Sequence, residues 1–138
     1  MASGVVLGFD DSDGSRAALA VAIEVAQRLG EPLHVAFAAA PPTMVGEEAR
    51  EHRHALEEIG GKLLAEATAA AEAAGVQVES HLEAMRPVDL LIGLAETLDL
   101  RMIIVGSYGE SPLRGAILGS TPHKLLHMSR HPILAVPS

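Results

Sequence analysis

The feature that most constrains this chain is one junction between residues 101 and 130. Met102-Ile103-Ile104-Val105 is a short, β-branched apolar run, the pattern of a strand buried on both faces. It stops at Gly106. Gly109 and Gly119 follow, and Ser120-Thr121-Pro122 leads into a helical pattern of Leu125, Leu126 and Met128. A strand that passes to a helix through glycines is a unit of a layered α/β protein. The same unit can hold an anion. Glycine lets bare N–H groups approach a ligand, and a helix start adds unpaired N–H groups and about half a positive charge. Ser120 or Thr121 is the expected N-cap, with Pro122 at the first helical position, where its missing N–H does no harm. For any single glycine the plainer reading is a turn; the combination points to phosphate.

The rest of the chain repeats the alternation. Val5 to Phe9 reads as a buried strand, followed by the turn Asp10-Asp11-Ser12-Asp13-Gly14-Ser15, which offers helix caps. Ala17, Ala18, Val21, Ala22, Val25, Ala26 and Leu29 recur at helical spacing until Gly30. Leu33 to Ala38 is a second strand. A long helix, or two in line, is expected from Glu47 to Ala74, weakened or bent at Gly60-Gly61. Val76 to Glu83 alternates as an edge strand would, Pro87 opens another helix, and Ile133 to Val136 forms a last strand between prolines. The order β-α-β-α-β-α-β-α-β predicts a doubly wound five-stranded parallel sheet with helices on both faces. A single domain is expected over residues 1–138, with no repeat and no linker.

Composition narrows the function. Hydrophobic residues are 49% of the chain but aromatic ones only 2%, so no aromatic platform is available for stacking single-stranded bases. The net charge of -8 disfavours a nucleic-acid backbone. The chain has no cysteine, which excludes disulfides, thiolate metal sites and a cysteine nucleophile. No run approaches the ~18 apolar residues of a membrane span. The start of the chain has no basic, signal-like region, so a cytoplasmic protein is expected.

Open parallel sheets bind ligands at the carboxyl ends of strands, where the strand order reverses. A 3-2-1-4-5 order makes strands one and four neighbours at that point. Asp10-Asp11-Ser12 and Gly106-Ser107-Tyr108-Gly109 would then face one crevice. Amides at Gly106, Ser107, Gly109, Gly119, Ser120 and Thr121 would take phosphates, while Asp10 would serve ribose hydroxyls or a bridging metal. The plainer role for Asp10 and Asp11 is a helix-start cluster that complements the dipole.

These residues resemble the universal stress proteins, in the branch that binds nucleotides. Gly106, Gly109, Gly119 and Ser120 reproduce that branch's G-x2-G-x9-G-[S/T] motif without a gap. Phe9-Asp10-Asp11-Ser12 resembles the family's Val-Asp-Gly-Ser, and Ile103 to Ser107 and His131 to Val136 resemble its fourth and last strands. The resemblance implies ATP or a related adenine nucleotide, with or without Mg2+. Asp10 and Ala38 would lie near adenosine, Val105 and Gly106 at the strand end, and Gly109, Gly119, Ser120 and Thr121 at the phosphates, with Gly8, Phe9, Ser12 and Ser107 completing the nucleotide-binding set. It also implies a homodimer through Ile133, Leu134, Ala135 and Val136, and a stress-response or signalling module in place of an efficient enzyme. The departures are Asp11 for a usual Gly, Ala38 for a larger aliphatic, Arg101 for a usual Asp, and Thr121 for a common Val.

Other readings fit less of the chain. A slow ATPase, or an AMP- or cyclic AMP-binding regulator, would use the same fold and site. An ATP pyrophosphatase of the N type carries a Ser-Gly-Gly-x-Asp-Ser loop, and the loop here is Asp-Asp-Ser-Asp-Gly-Ser. A phosphorelay receiver needs an Asp after strand three and a late Lys; the chain offers Glu83 and no lysine after Lys124. His123 and His127 share a helix face but lack a third ligand, so no metal site is expected.

Overall fold

A computed structural model describes residues 2–39, 46–107 and 120–138, with the side chain of Ser120 left out. Among the described residues nine elements alternate: β1 (Val5–Gly8), α1 (Asp13–Leu29), β2 (Leu33–Ala38), α2 (Glu47–Ala73), β3 (Val78–Glu83), α3 (Pro87–Thr97), β4 (Met102–Gly106), α4 (Ser120–Met128) and β5 (Ile133–Val136). All strand pairs are parallel, and the sheet order is β3-β2-β1-β4-β5. This is the predicted 3-2-1-4-5 sheet.

The two sides of the sheet bury different sets. Val5, Leu7, Phe9, Val35, Phe37 and Ile104 pack with alanines of α1 and α2. Val6, Ala36, Ile103 and Val105 pack with Leu90 and Leu91 of α3 and Leu125 of α4. The period of two along each strand produces this division. Alanine-rich helices let backbones come close to the sheet, which suits a core nearly free of aromatic rings.

The ends of α1 follow from sequence. Ser12 is its N-cap: the backbone is extended and Oγ accepts from the Ser15 N–H at 3.1 Å. Gly30 closes it at φ 65°, where a side chain would be strained, and donates to the last carbonyls of the helix. The long helix α2 runs unbroken through Gly60-Gly61. Gly60 is needed because the Phe37 ring and Leu82 lie against it; a Cβ there would sit 2.6 Å from Phe37 Cδ1. Gly61 faces open space.

Arg101, one of the departures, is placed by charge. Its guanidinium donates to Glu31 through Nε at 2.9 Å and also through Nη2. The Gly4 N–H donates to the same carboxylate at 2.7 Å. The hydrogen bonds from Arg101 and then Gly4 pull the Glu31 carboxyl down to about 2, against some desolvation. This cluster ties the amino ends of β1, β2 and β4 together, far from the expected ligand crevice. No helix among the described residues is long and apolar enough to cross a membrane.

Candidate nucleotide site at the carboxyl ends of β1 and β4

β1 lies between β2 and β4, with Leu7 opposite Ile104, so the chain reversal falls between β1 and β4. Both carboxyl ends open on the same edge of the sheet. The loop from β1 is held by its own hydrogen bonds. The Ser12 N–H donates to Asp10 Oδ1 at 3.0 Å, the Asp10 N–H to Ser15 Oγ at 3.3 Å, and Ser15 Oγ to the Ser12 carbonyl at 3.1 Å. Asp10 is exposed, while Ser12 and Ser15 are buried. The carboxylate is therefore fixed in direction and open to solvent.

Asp11 stands at φ 65°, in the left-handed region. That explains why glycine suits the position, and why Asp, which tolerates this conformation better than most residues, can replace it. Its side chain turns away to pair with Arg16 on α1.

Gly106 has a packing role that the sequence did not disclose. The first turn of α1 passes so close that a Cβ at residue 106 would sit 2.5 Å from the Gly14 carbonyl carbon. Two glycines thus let the start of α1 touch the end of β4. This contact brings the Asp10–Ser12 loop against the β4 end. Gly8 is tight on the other side, where a Cβ would meet Leu91 Cδ1 at 3.1 Å.

One expected contact needs correction, and two others are confined to the backbone. The Ser107 amide is not available for phosphate, because its N–H donates to the Val136 carbonyl at 2.9 Å and extends the β4–β5 ladder. Its hydroxyl is what remains: Ser107 is buried, and Oγ has no hydrogen-bond partner among the described residues. A buried hydroxyl without a partner is costly and suits a ligand that would bond it. The Phe9 ring is 3% exposed and belongs to the α1–α2 core, and its N–H donates to Ala36 O. The Val105 side chain is core on the α3–α4 side. Either residue could offer a ligand only its backbone. Ala38 is half-buried at the end of β2.

α4 starts at Ser120, so Ser120 and Thr121 lie in its first turn and Pro122 is third. The residues before Ser120 lie outside the described ones, and so does the capping interaction expected of Ser120 or Thr121. The first turn of a helix has N–H groups with no partner inside the helix, and Thr121 is half-buried there. Gly109, Gly119 and Tyr108 lie outside the described residues.

A five-stranded parallel sheet of this order, with a capped acidic loop at one inner strand end and a glycine close approach at the next, defines a doubly wound α/β protein with a crevice at its topological switch point. The universal stress protein family model matches residues 1–137. The chain belongs to that family. It is 34% identical over 86 residues to the universal stress protein YxiE of Bacillus subtilis, covering 62% of this chain and 58% of that protein. It is 29% identical over 135 residues to a universal stress protein of Mycolicibacterium smegmatis, covering 96% of this chain and 45% of that one. The chain thus spans about half the length of the curated relatives it matches. Among solved structures, the hypothetical protein MJ0577 superposes with TM-score 0.90 at 21% identity, covering 100% of this chain and 97% of that one. A universal stress protein in complex with cAMP superposes at 0.76 with 29% identity, covering 99% and 97%. One from Archaeoglobus fulgidus in complex with dAMP superposes at 0.71 with 21% identity, covering 99% and 98%.

Proposed function

We propose that this chain binds an adenine nucleotide, ATP in particular, at the carboxyl ends of β1 and β4, and acts as a stress-response or signalling module. The observation that carries this reading is the buried Ser107 hydroxyl, without a partner among the described residues, at the strand end where the Asp10–Ser12 loop meets β4 through the Gly106–Gly14 contact. The cAMP and dAMP complexes of structural relatives support the adenosine end.

Asp10 and the half-buried Ala38 would lie toward the nucleoside, and the Ser107 hydroxyl and the first turn of α4 toward phosphate. ATP adds phosphates where the motif glycines Gly109 and Gly119 stand in sequence. A hard cation such as Mg2+ would take oxygen from Asp10 and from the phosphates. We expect at most slow hydrolysis, with the chain working by binding. A thermal-shift assay tests this. ATP should raise the melting temperature, by an amount set by its concentration relative to Kd, and Gly109→Asp should abolish the rise by adding bulk and negative charge. Equal shifts in both proteins would refute the reading.

The same reading includes a homodimer through β5. β5 is an edge strand whose Ile133, Leu134 and Ala135 are only half-buried.

A further inference from the structure

Away from the nucleotide crevice, the register of the two outermost strands gathers three metal-ligating side chains. His34 of β2 stands opposite Glu79 of β3, and Ala36 stands opposite His81. Side chains alternate along a strand, so His34, Glu79 and His81 all project from the sheet face that α3 covers farther in. His34 Nδ1 lies 2.9 Å from His81 Nε2 and 3.7 Å from Glu79 Oε2. One ligand atom from each residue falls within 4.8 Å of the other two, the only such trio among the described residues. α3 packs over β1, β2 and β4, while β3 is the edge strand. The trio is therefore graded from a buried ring, His34, through a half-buried one, His81, to an exposed carboxylate.

We propose that His34, His81 and Glu79 form a binding site for a zinc-type divalent transition ion, with the fourth position open to water. Two imidazoles and one carboxylate are a borderline donor set that suits zinc and its neighbours better than magnesium or calcium. The required adjustment is small. Two nitrogens each ~2.05 Å from a tetrahedral zinc stand about 3.3 Å apart, so the rings must part by about 0.4 Å. Without an ion, one ring donates a hydrogen to the other; with an ion, both nitrogens present lone pairs and the donor ring adopts its other tautomer. His34, held in the sheet, would fix the site. His81 and the exposed Glu79 would close on the ion from the edge strand. An ion there would pin β3 to β2 by side chains as well as by the backbone ladder.

Zinc alone is the probe. Calorimetric titration at pH 7.5 should show one Zn2+ bound per chain. His81→Ala should weaken that binding at least tenfold, and Glu79→Gln severalfold. The double variant His123→Ala, His127→Ala removes the other close histidine pair, whose ring centroids are 4.8 Å apart, and should leave the site intact. Imidazole NMR of the unaltered chain gives a reading that does not depend on a variant folding: zinc should move the His34 and His81 ring resonances first. No zinc uptake, uptake unchanged by His81→Ala, loss in the His123/His127 variant, or first shifts at those two histidines would each overturn the site.

Discussion

Asp11 and Gly106 show what one residue decides here. Asp11 holds a left-handed backbone next to the Asp10 carboxylate. Asp11→Gly should therefore fold with stability within about 1 kcal/mol of the parent, because relief of the conformation offsets the lost pairing with Arg16. Asp11→Val should cost about 1–2 kcal/mol, since a β-branched residue resists positive φ. Urea denaturation of the two variants checks this, and equal stabilities would contradict it. At Gly106 the obstacle is the Gly14 backbone, which cannot swing aside as a side chain can. Gly106→Ala should destabilise by about 1–3 kcal/mol through overpacking, and should weaken nucleotide binding by displacing the Asp10–Ser12 loop. A variant as stable as the parent would show that α1 does not press on β4.

At the scale of elements, the two adjacent glycines of α2 should behave oppositely. Gly61→Ala meets open space and should stabilise by about 0.5–1 kcal/mol through helix propensity alone. Gly60→Ala gains the same propensity but drives a methyl into the Phe37 ring and Leu82, so it should be the less stable of the two in thermal melts. The tie between β1, β2 and β4 should be sensitive to acid. Glu31 titrates at about 2 in the folded chain, below the ordinary 4.5, so its stabilisation is present above about pH 4.5 and is lost as the pH falls toward 2. Glu31→Gln should lower the melting temperature at pH 7 and flatten its decline over that window; a decline as steep as the parent's would contradict the assignment. On β5, Ser107 and Ile103 donate to the carbonyls of Val136 and Pro132, so even-numbered residues bond β4 and the Ala135 N–H points outward. Ala135→Pro should therefore keep the sheet but dissociate the proposed dimer in ultracentrifugation. A monomeric parent would refute the dimer outright.

At the scale of the whole molecule, the fold was legible because periodicity is local. Strands of period two and helices of period 3.6 alternate along the chain, and parallel pairing follows from that alternation. What long-range packing decides was not legible. The Ser107 amide reads as free until β5 takes it, the Phe9 ring reads as a candidate contact until α1 and α2 cover it, and Gly60-Gly61 reads as a break until Phe37 fills the gap. His34 and His81 are 47 residues apart, and only the β2–β3 register makes them neighbours. The Arg101 departure likewise acquires its meaning from Glu31, 70 residues away.

The central claim, that an adenine nucleotide sits at the carboxyl ends of β1 and β4, is tested most directly by amide NMR of the chain titrated with ATP. The predicted result is saturable shifts concentrated at Asp10, Ser12, Gly106, Ser107 and Thr121. Shifts concentrated instead at the opposite end of the sheet, in the hollow lined by Gly30, Glu31, Gly75 and Gln77, or no shifts at millimolar ATP, would contradict it.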